Sequence, residues 1–414
     1  MKSEIIAVGS EMLTPFRQDT NSLYLTEKLN EIGVTVAFKS IVGDRLKDLV
    51  SAIRTALGRA DIVAIMGGLG PTEDDLTREA LAEALGIAIR RDATLLANLH
   101  AWAATRRIPM PENNQKQADV LEGATILPNV NGTAPGQWLD TKYAGFRKLI
   151  LLVPGPPSEC KPIFDAECLP RLRAVLPKRF LAKRTLRAAM IAESQADKLL
   201  APIYTPYKDV ETTILAHAGD IQLTLLCAKA DQQAAQQRVD ELAGKMEEAL
   251  EEWLYSSEGD TLEQIVLYYL GLRQSTLAVA ESCTGGMVSE RLTRVSGSSR
   301  SFLGAAVVYS NEMKVIFTGV PPDLLAQYGA VSSEAAAAMA QGIRKATGAT
   351  LGLSITGIAG PTGGTEDKPV GLVHFALTDG KKTETVERRF TGPRERVREF
   401  ATQQALDMVR RKLR

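Results

Sequence analysis

The chain has 414 residues, of which 45% are hydrophobic and 5% aromatic, so it is long enough for two or three globular domains. Lysine plus arginine equals aspartate plus glutamate at 49 each, and this zero net charge provides no overall field that would attract nucleic acid or a membrane. No run approaches the ~18 apolar residues of a membrane span, and the four cysteines lack the spacing of a disulfide framework or zinc site. Because Met1 to Glu4 leads directly into a strand pattern without the core of a signal peptide, we expect a cytosolic protein with reduced thiols.

Residues 1–170 repeat one pattern, which consists of an apolar strand, a glycine-rich turn and a helix. Apolar runs at 5–8, 62–66 and 149–153 each lead into such a turn. Continuous apolar strands that alternate with helices predict a doubly wound, mostly parallel sheet. Turns that follow these strands meet at the carboxyl edge of the sheet, where open α/β folds bind ligands. We therefore predict a site for a phosphate-bearing ligand at this edge.

Acidic residues crowd the same predicted edge. Glu73, Asp74 and Asp75 follow the second glycine-rich turn, and each alone would be an ordinary residue at a helix start. Together they would repel an anionic ligand unless a cation lay between them. A Mg²⁺-type ion held by one or two carboxylates and by the phosphates of the ligand resolves this conflict. Asp44, in the turn after another strand, could supply a further carboxylate.

Residues 171–257 open with a short basic run and continue as two strand patterns and an amphipathic helix. One face of this helix is apolar: Val239, Leu242, Met246, Leu250 and Trp253. The α+β unit resembles a KH-like module but lacks the GXXG loop with which such modules clamp nucleic acid. We therefore expect a structural spacer that contributes to a homodimer in preference to the alternative, an RNA-binding module. Residues 255–260 are the predicted domain boundary.

The most informative stretch follows this boundary. An apolar strand pattern at 277–280 ends on Glu281, Ser282 and Cys283, and two glycines stand where a helix pattern begins. Ser282 therefore lies on a strand-to-helix turn, beside the positive end of a helix. The N–H groups of such a turn, here those of Thr284 and Gly285, can stabilise an attacking alkoxide and the oxyanion that it creates. This arrangement suits amide hydrolysis, although the same motif met alone is more often a simple turn, with a hydroxyl and two glycines that serve only close packing.

A serine nucleophile needs a base, and Lys314 is the candidate. It follows a second apolar strand pattern and a polar turn, so two strand ends at one sheet edge would bring it to Ser282. A lysine acts as a base only when neutral, which requires its pKa to fall from about 10.4 toward neutrality. Burial lowers the pKa of a lysine readily, whereas an arginine stays charged.

Cys283 is a rival nucleophile and His374 a rival base. A buried cysteine is usually a small, inert apolar residue. His374 lies inside the strand pattern at 370–376, where a histidine commonly fills a sheet position. The sequence alone leaves both alternatives open.

A phosphate site is also predicted in this region. The glycine-rich segment at 356–364 follows the apolar strand at 351–355, so its N–H groups could hold a phosphate. Arg394, at the start of the last helix pattern, could pair with that phosphate or with a carboxylate, or could remain solvated.

Over about residues 258–414 the chain resembles the nicotinamide mononucleotide deamidase domain of the CinA family. The motifs that carry the resemblance are AESCTGG, YSNEMK, Gly329 to Ser332, Ser354 to Pro361 with Gly363-Gly364, and Lys368 to Gly371. The resemblance implies that Ser282 is the nucleophile, Lys314 its base and Tyr309 a further catalytic residue, with no cofactor required. The implied substrate contacts are Thr284, Gly285, Gly286, Thr356, Gly357 and Arg394. The implied reaction converts the carboxamide of nicotinamide mononucleotide into nicotinate mononucleotide and ammonia.

Residues 3–170 are similar to the N-terminal, molybdopterin-binding-like domain of the same family. The motifs are GGLGPTEDDLTREA, Asp19 to Ser22, Asn131 to Gly136 and Pro154 to Glu159, whereas Thr14 to Gln18 departs from an expected glycine-containing segment. The resemblance implies a metal-dependent ADP-ribose pyrophosphatase that yields AMP and ribose 5-phosphate. The implied ligand contacts are Gly9, Glu11, Asn21, Gly67, Gly68, Gly70, Asn131, Pro154 and Gly155. The implied ligands of a Mg, Mn or Co ion are Asp44, Asp74 and Asp75.

We therefore predict an α/β chain in three parts, with boundaries at 1–170, 171–257 and 258–414. The first is a doubly wound, molybdopterin-binding-like domain, the second a KH-like α+β unit and the third an α/β deamidase. Two rival functions remain, a molybdopterin-related or nucleotide-binding protein without deamidase activity and a competence or DNA-damage factor. The neutral charge argues against the last of these.

Overall fold

The computed structural model describes residues 1–107 and 109–414. These residues form two compact units, one of Met1–Leu181 with Ala228–Gln232 and the other of Ala182–Cys227 with Gln233–Arg414. Within them, every helix is either too short or too polar to cross a lipid bilayer.

The first unit alternates strands and helices. Its strands are β1 (Lys2–Val8), β2 (Thr35–Val42), β3 (Ile62–Met66), β4 (Ile89–Arg91), β5 (Asp119–Leu121), β6 (Thr125–Leu127), β7 (Gly136–Tyr143) and β8 (Phe146–Val153). Its helices are α1 (Asn21–Glu31), α2 (Leu46–Arg59), α3 (Thr77–Leu85), α4 (Ala93–Thr105), α5 (Pro157–Ile163) and α6 (Leu169–Val175). Short 3₁₀ turns at Ser10–Leu13 and Glu112–Ala118 interrupt the connections.

Six of these strands form one sheet in the order β2-β1-β3-β8-β7-β6. The first four are parallel, while β7 and β6 add on as antiparallel neighbours, which confirms the mostly parallel sheet expected from the sequence. Helices cover both faces, and adjacent residues of β1 show why the strand is continuously apolar. Ile5 packs with Leu25 on one face, and Ile6 packs with Ile53 on the other.

The carboxyl ends of β1, β3 and β8 lie side by side. The N–H of Gly67 donates to the carbonyl of Val153 at 3.0 Å, which joins the ends of β3 and β8. Gly67 has a φ of 95°, and a Cβ there would stand 2.4 Å from the carbonyl oxygen of Val8 at the end of β1. Only glycine fits this close approach, because any side chain would push the three strand ends apart.

The second unit continues with nine strands and eight helices. Its strands are β9 (Phe180–Ala189), β10 (Glu211–His217), β11 (Asp220–Lys229), β12 (Leu254–Ser256), β13 (Leu277–Glu281), β14 (Phe302–Val307), β15 (Leu351–Gly357), β16 (Leu372–Thr378) and β17 (Thr383–Arg389). Its helices are α7 (Glu193–Tyr204), α8 (Gln232–Leu250), α9 (Leu262–Leu272), α10 (Met287–Thr293), α11 (Asn311–Thr318), α12 (Pro322–Tyr328), α13 (Ser333–Thr347) and α14 (Arg394–Leu413).

The first part of this unit is a four-stranded sheet in the order β10-β11-β9-β12 with α7 and α8 packed on it. Burial alternates along β11, so one face of the sheet meets the helices. The predicted apolar face of α8 is buried, although the helix ends at Leu250 and Trp253 lies in a following 3₁₀ turn. This architecture confirms the KH-like α+β unit.

The second part is a five-stranded sheet in the order β14-β13-β15-β16-β17. β14, β13 and β15 are parallel, and β16 and β17 are antiparallel. β13 lies inside the sheet and is buried along its whole length, because α9 and α14 cover one face and α13 covers the other. Its carboxyl end therefore opens between two neighbouring parallel strands, the position at which α/β sheets carry functional groups.

Candidate functional site

The turn after β13 is held by the last residue of that strand. The buried carboxylate of Glu281 accepts hydrogen bonds from the N–H groups of Gly286 at 2.9 Å, Val288 at 3.2 Å and Ser289 at 3.0 Å. These are N–H groups that the start of α10 would otherwise leave unpaired. Glu281 thus fixes the turn that carries Ser282, a role that sequence reasoning missed. Its signal was an acid just before a Gly-Gly pair and a helix pattern.

Ser282 and Lys314 meet at this turn. The Lys314 Nζ lies 3.2 Å from the Ser282 Oγ, although the two residues are far apart in sequence. They meet because β13 and β14 are adjacent parallel strands, and the N–H of Val308 donates to the carbonyl of Glu281 at 2.8 Å. The predicted pair is therefore brought together as the sequence pattern indicated.

Lys314 is almost fully buried, with 1% of its surface exposed. Its Nζ donates to the carbonyl oxygens of Val308 at 2.9 Å and Tyr309 at 3.2 Å, and it forms no ion pair with any residue that the structure describes. Desolvation by burial lowers the pKa of Lys314 from its usual 10.5. Burial thus moves the equilibrium of Lys314 toward the neutral amine.

The Lys314 Nζ has three oxygen partners, which suit the ammonium as well as the neutral amine. Such a group has two N–H donors and one lone pair. An ammonium at this position donates to all three oxygens, whereas a neutral amine donates to the carbonyls of Val308 and Tyr309 and directs its lone pair toward the hydroxyl proton of Ser282. This geometry allows Lys314 to take a proton from Ser282 directly, which is what a general base must do.

Neither rival residue has these properties. Cys283 is buried, and burial raises the pKa of its thiol to about 12, so the thiolate is scarce at neutral pH. His374 lies on β16, where its Nδ1 is 3.1 Å from the Ser333 Oγ. Its hydrogen-bond partner is thus a serine at the start of α13 and not Ser282.

Of the two N–H groups that we expected to stabilise an oxyanion, those of Thr284 and Gly285, only one is free of a backbone partner in the described part of the chain. The N–H of Gly285 donates to the carbonyl of Ser282 at 3.1 Å and so closes the turn instead of facing a ligand. The N–H of Thr284 has no hydrogen-bond partner among residues 1–107 and 109–414. The hydroxyl of Thr284 is buried and also lacks one. Thr284 therefore offers two unpaired polar groups immediately beside the serine.

A second side chain that sequence reasoning missed is Arg398. Its Nε donates to the carbonyl of Cys283 at 3.2 Å, and one terminal nitrogen donates to the carbonyl of Thr284 at 2.8 Å. These bonds tie the serine turn to α14. The signal available in the sequence was weak, because Arg398 is one helical turn beyond Arg394 and therefore on the same face.

Arg394 and Tyr309 are also brought together. Arg394 donates to the hydroxyl of Tyr309 at 3.1 Å and to the carbonyl of Gly360 at 2.9 Å. Tyr309 is 60% exposed. Its contact with Lys314 is made by the backbone carbonyl and not by the ring. Arg394 thus lies beside the glycine-rich segment, where an anionic group of a ligand would be accessible to it.

Thr356 and Gly357 are the last residues of β15 and do not belong to the loop that follows. The buried hydroxyl of Thr356 donates to the carbonyl of Ala330 at 2.7 Å. A Cβ on Gly357 would stand 2.7 Å from the carbonyl oxygen of Leu372, so a glycine is needed for the pairing with β16. The predicted phosphate loop therefore begins at 358, two residues later than expected.

The first unit carries a separate cavity of about 650 Å³ at the carboxyl edge of its sheet. All but one of the predicted contacts line it: Gly9, Glu11, Asn21, Asp44, Gly67, Gly68, Gly70, Asp74, Asp75, Pro154 and Gly155. Asn131 does not, because its side-chain amide donates to the carbonyl of Ser158 at 2.7 Å and holds a neighbouring loop.

Two carboxylates of this cavity accept hydrogen bonds from backbone N–H groups of the loops around it. One oxygen of Asp75 accepts from the N–H of Thr72 at 2.9 Å, and one oxygen of Asp44 accepts from the N–H of Ser10 at 2.7 Å. The same Asp75 oxygen also accepts from the Thr72 hydroxyl at 2.6 Å. In the part of the chain that the structure describes, no three acidic, histidine or cysteine side chains are grouped to hold a metal. Mg²⁺ needs only one or two carboxylates beside its water and phosphate ligands, and Asp44 and Asp75 both line this cavity.

Asn21 adds an unsatisfied acceptor to the cavity wall. Its Nδ2 donates to the carbonyl of Gly155 at 2.7 Å, whereas its buried Oδ1 has no partner within the described residues. A buried acceptor without a donor is costly, so a ligand hydroxyl or N–H would be bound favourably here.

Three family models match the chain in the predicted order. They are the "Probable molybdopterin binding domain" at 4–174, the damage-inducible protein CinA KH domain at 183–256 and the CinA C-terminal domain at 259–413. A CinA-like protein of Acidobacterium capsulatum is 64% identical over 413 residues, and one of Koribacter versatilis is 55% identical over 413 residues. Each match covers 100% of both chains. The chain belongs to the CinA family.

Solved structures of CinA family proteins match part of the chain. The competence/damage-inducible protein CihA from Agrobacterium tumefaciens is 35% identical and covers 36% of this chain and 90% of that one, with a TM-score of 0.35. Membership of the CinA family confirms the resemblance and the molybdopterin-binding-like, KH-like and CinA C-terminal architecture. These names state no reaction, so the chemistry must be argued from the two sites.

Proposed function

We propose that this CinA family chain hydrolyses the carboxamide of nicotinamide mononucleotide to nicotinate mononucleotide and ammonia. The observation that carries the proposal is the 3.2 Å contact between the Lys314 Nζ and the Ser282 Oγ, with Lys314 buried and its two remaining partners both carbonyls. The geometry supports amide hydrolysis by a serine. The substrate is proposed from the motifs that the chain shares with the deamidase domain of the family.

In the first half of the reaction, Lys314 takes the hydroxyl proton of Ser282 while the Oγ attacks the carboxamide carbon. The oxyanion that forms needs a donor fixed in advance, and the free N–H of Thr284 is our candidate. Collapse of the tetrahedral intermediate breaks the C–N bond, and Lys314 returns the proton to the departing nitrogen. Ammonia leaves, and the nicotinoyl group remains as an ester of Ser282.

In the second half, water attacks the ester and gives its proton to Lys314. As the ester bond breaks, Lys314 returns this proton to the Ser282 oxygen, and nicotinate mononucleotide is released. No step requires a cofactor. We assign the substrate phosphate to Arg394 and the loop that begins at 358, because this guanidinium lies at the exposed edge of the site.

The test compares two serines in the purified full chain. Ser282→Ala should abolish ammonia release from nicotinamide mononucleotide, while Ser333→Ala, which removes the partner of His374, should keep it. Both variants should keep the wild-type circular dichroism spectrum. Turnover by a folded Ser282→Ala protein would sink the nucleophile assignment, and no turnover by the wild type would remove the proposed substrate.

A second activity is proposed for the first unit, metal-dependent hydrolysis of ADP-ribose to AMP and ribose 5-phosphate. It is supported by the cavity of about 650 Å³, which glycine turns and carboxylates line together. Asp44 and Asp75 would hold the ion, whose chemistry would be to neutralise the pyrophosphate and polarise its phosphorus centre. The residues themselves would bind and orient the ligand: Gly68 and Gly70 line the cavity where the phosphates would lie, since the N–H groups of Gly9 and Gly67 are bonded to backbone carbonyls, and the Asn21 Oδ1 would accept from a hydroxyl.

Asp75→Asn should end AMP release in the presence of Mg²⁺, Mn²⁺ or Co²⁺ and leave the deamidation unchanged. EDTA should have the same selective effect. If ADP-ribose is not cleaved with any of these ions and a pterin binds instead, the first unit is a molybdopterin-related binding domain. Steeply salt-dependent DNA binding by the full chain would favour the competence or DNA-damage role.

A further inference from the structure

The glycine-rich turn after β3 is held by its carbonyl groups. Four consecutive carbonyls, those of residues 67–70, accept hydrogen bonds from the first two residues of α3. The hydroxyl and the N–H of Thr77 donate to the first two carbonyls, at 2.7 and 3.2 Å. The guanidinium of Arg78 donates to the carbonyls of Leu69 at 3.1 Å and Gly70 at 3.3 Å. The start of one helix therefore fixes the whole turn.

Bonds that fix the carbonyls also fix the N–H groups of the turn. In a trans peptide the N–H points away from the carbonyl of the preceding residue, and the peptides of this turn are trans. The N–H groups of Gly68, Leu69 and Gly70 are therefore turned away from α3, and none has a hydrogen-bond partner within the described residues. These three residues line the cavity of about 650 Å³, whereas Arg78 does not. Successive unpaired N–H groups at the wall of a cavity are the donors of an anion site.

Arg78 also places a positive charge behind this turn. The side chain is 1% exposed, and it forms no ion pair with any residue that the structure describes. Glu79, Asp119 and Asp75 lie near enough to oppose the fall of its pKa on burial, but none is within ion-pair distance. Its buried Nε has no hydrogen-bond partner in the same part of the chain. Buried charges are normally paired, so this guanidinium would attract an anion on the far side of the turn.

We infer that Arg78 is a positioning residue for an anion site in the first unit. Its two hydrogen bonds hold the peptide between Leu69 and Gly70 so that the N–H of Gly70 is presented to a phosphate. Its buried charge attracts that phosphate through the turn, although Arg78 itself does not contact the ligand. That the anion is the pyrophosphate of ADP-ribose rests on the proposed function of the first unit. The anion site rests on the turn alone.

The test is calorimetric binding of inorganic pyrophosphate to the full chain in excess Mg²⁺. Arg78→Met keeps a long side chain but removes both donors and the charge, so pyrophosphate binding should weaken by roughly tenfold or more. Arg78→Lys keeps the charge without the planar fork and should lie between Arg78→Met and the wild type. Arg54→Met is the matched control, because Arg54 is exposed on α2 and lies outside the lining of the cavity. It should bind pyrophosphate as the wild type does.

A further variant separates positioning from packing. Arg78→Ala leaves an empty space where the guanidinium group was, so its pyrophosphate binding should be weak but restored by guanidinium chloride. Millimolar concentrations are sufficient for this rescue and lie far below those that unfold proteins. Arg78→Met should not be rescued, because its side chain fills the space. A residue that serves only to fill volume would give no such difference.

Wild-type affinity of Arg78→Met, or equal losses in Arg78→Met and Arg54→Met, would overturn the positioning role. A loss in folded Arg78→Ala that guanidinium does not reverse would also overturn it, and so would a wild type that binds no pyrophosphate. Cleavage of ADP-ribose, assayed with the same proteins, tests the proposed function separately. A wild type that binds pyrophosphate through Arg78 but leaves ADP-ribose intact would remove the proposed reaction and keep the anion site.

Discussion

Replacement of Lys314 by methionine tests the proposed chemistry most sharply. Methionine keeps an unbranched, buried side chain at a position with 1% exposure but removes the amine. The carbonyls of Val308 and Tyr309 lose their hydrogen bonds, at a cost of about 1 kcal/mol each. The desolvation of the amine is also removed, which opposes this loss, so we expect the free energy of unfolding to change by less than about 2 kcal/mol.

The catalytic effect should be far larger than the effect on stability. Loss of a general base lowers a rate by about 10²–10⁴-fold, or about 3–5 kcal/mol in activation free energy. In the wild type the rate should rise with pH as Lys314 loses its proton and level off above its folded-state pKa, which burial lowers from 10.5. The residual rate of Lys314→Met should lack this rising limb.

The free energy of unfolding should also depend on pH through the protonation of Lys314. Because the pKa of Lys314 is lowered on folding, the unfolded chain binds more protons between the folded-state pKa and the usual 10.5. The stability of the wild type should therefore rise with pH across this window relative to Lys314→Met.

Ammonia release over a pH series, with urea unfolding in the same buffers, measures both effects. Lys345→Met, at an exposed position of α13, should change neither. A folded Lys314→Met protein with more than about a tenth of the wild-type rate would refute the reasoning.

Three further substitutions test the surroundings of the serine. Cys283→Ala should keep the deamidation rate within about threefold, because burial raises the pKa of the thiol to about 12 and leaves it protonated. Glu281→Ala removes the acceptor of three N–H groups at the start of α10 and should lower the free energy of unfolding by about 3 kcal/mol or more, measured with urea. Arg398→Met frees the carbonyls of Cys283 and Thr284, and it should lower kcat roughly tenfold with little change in KM.

Each of these predictions has a contrary result. An inactive Cys283→Ala with an active Ser282→Ala would mean a cysteine amidase. Wild-type stability of Glu281→Ala would show that the turn does not depend on its carboxylate. For Arg398→Met the control is Arg396→Met, an exposed arginine of the same helix, and equal effects of the two would argue against a specific role in the turn.

Local patterns in the sequence were sufficient for the architecture. Continuous apolar runs such as 62–66 and 149–153 indicated buried parallel strands, since only strands covered on both faces are apolar at every position. The glycines after them marked turns whose close approaches admit no Cβ, as at Gly67. Ser282 and Lys314 could be paired in advance because each follows an apolar strand, and parallel strands end at the same edge of a sheet.

Contacts between segments that are distant in sequence determined which groups of the two sites are buried and hydrogen-bonded. The sequence does not show that Lys314 is buried between two carbonyls, that His374 is bonded to Ser333, or that Asn131 turns away from the cavity, because each depends on the packing of another element. The capping role of Glu281 and the bridge from Arg398 to the serine turn are likewise properties of the folded chain. The sequence by itself thus determined the strands, the turns and the chemical groups at their ends. Only the tertiary structure decided which of those groups are desolvated and paired, because burial and hydrogen bonding arise when the segments come together.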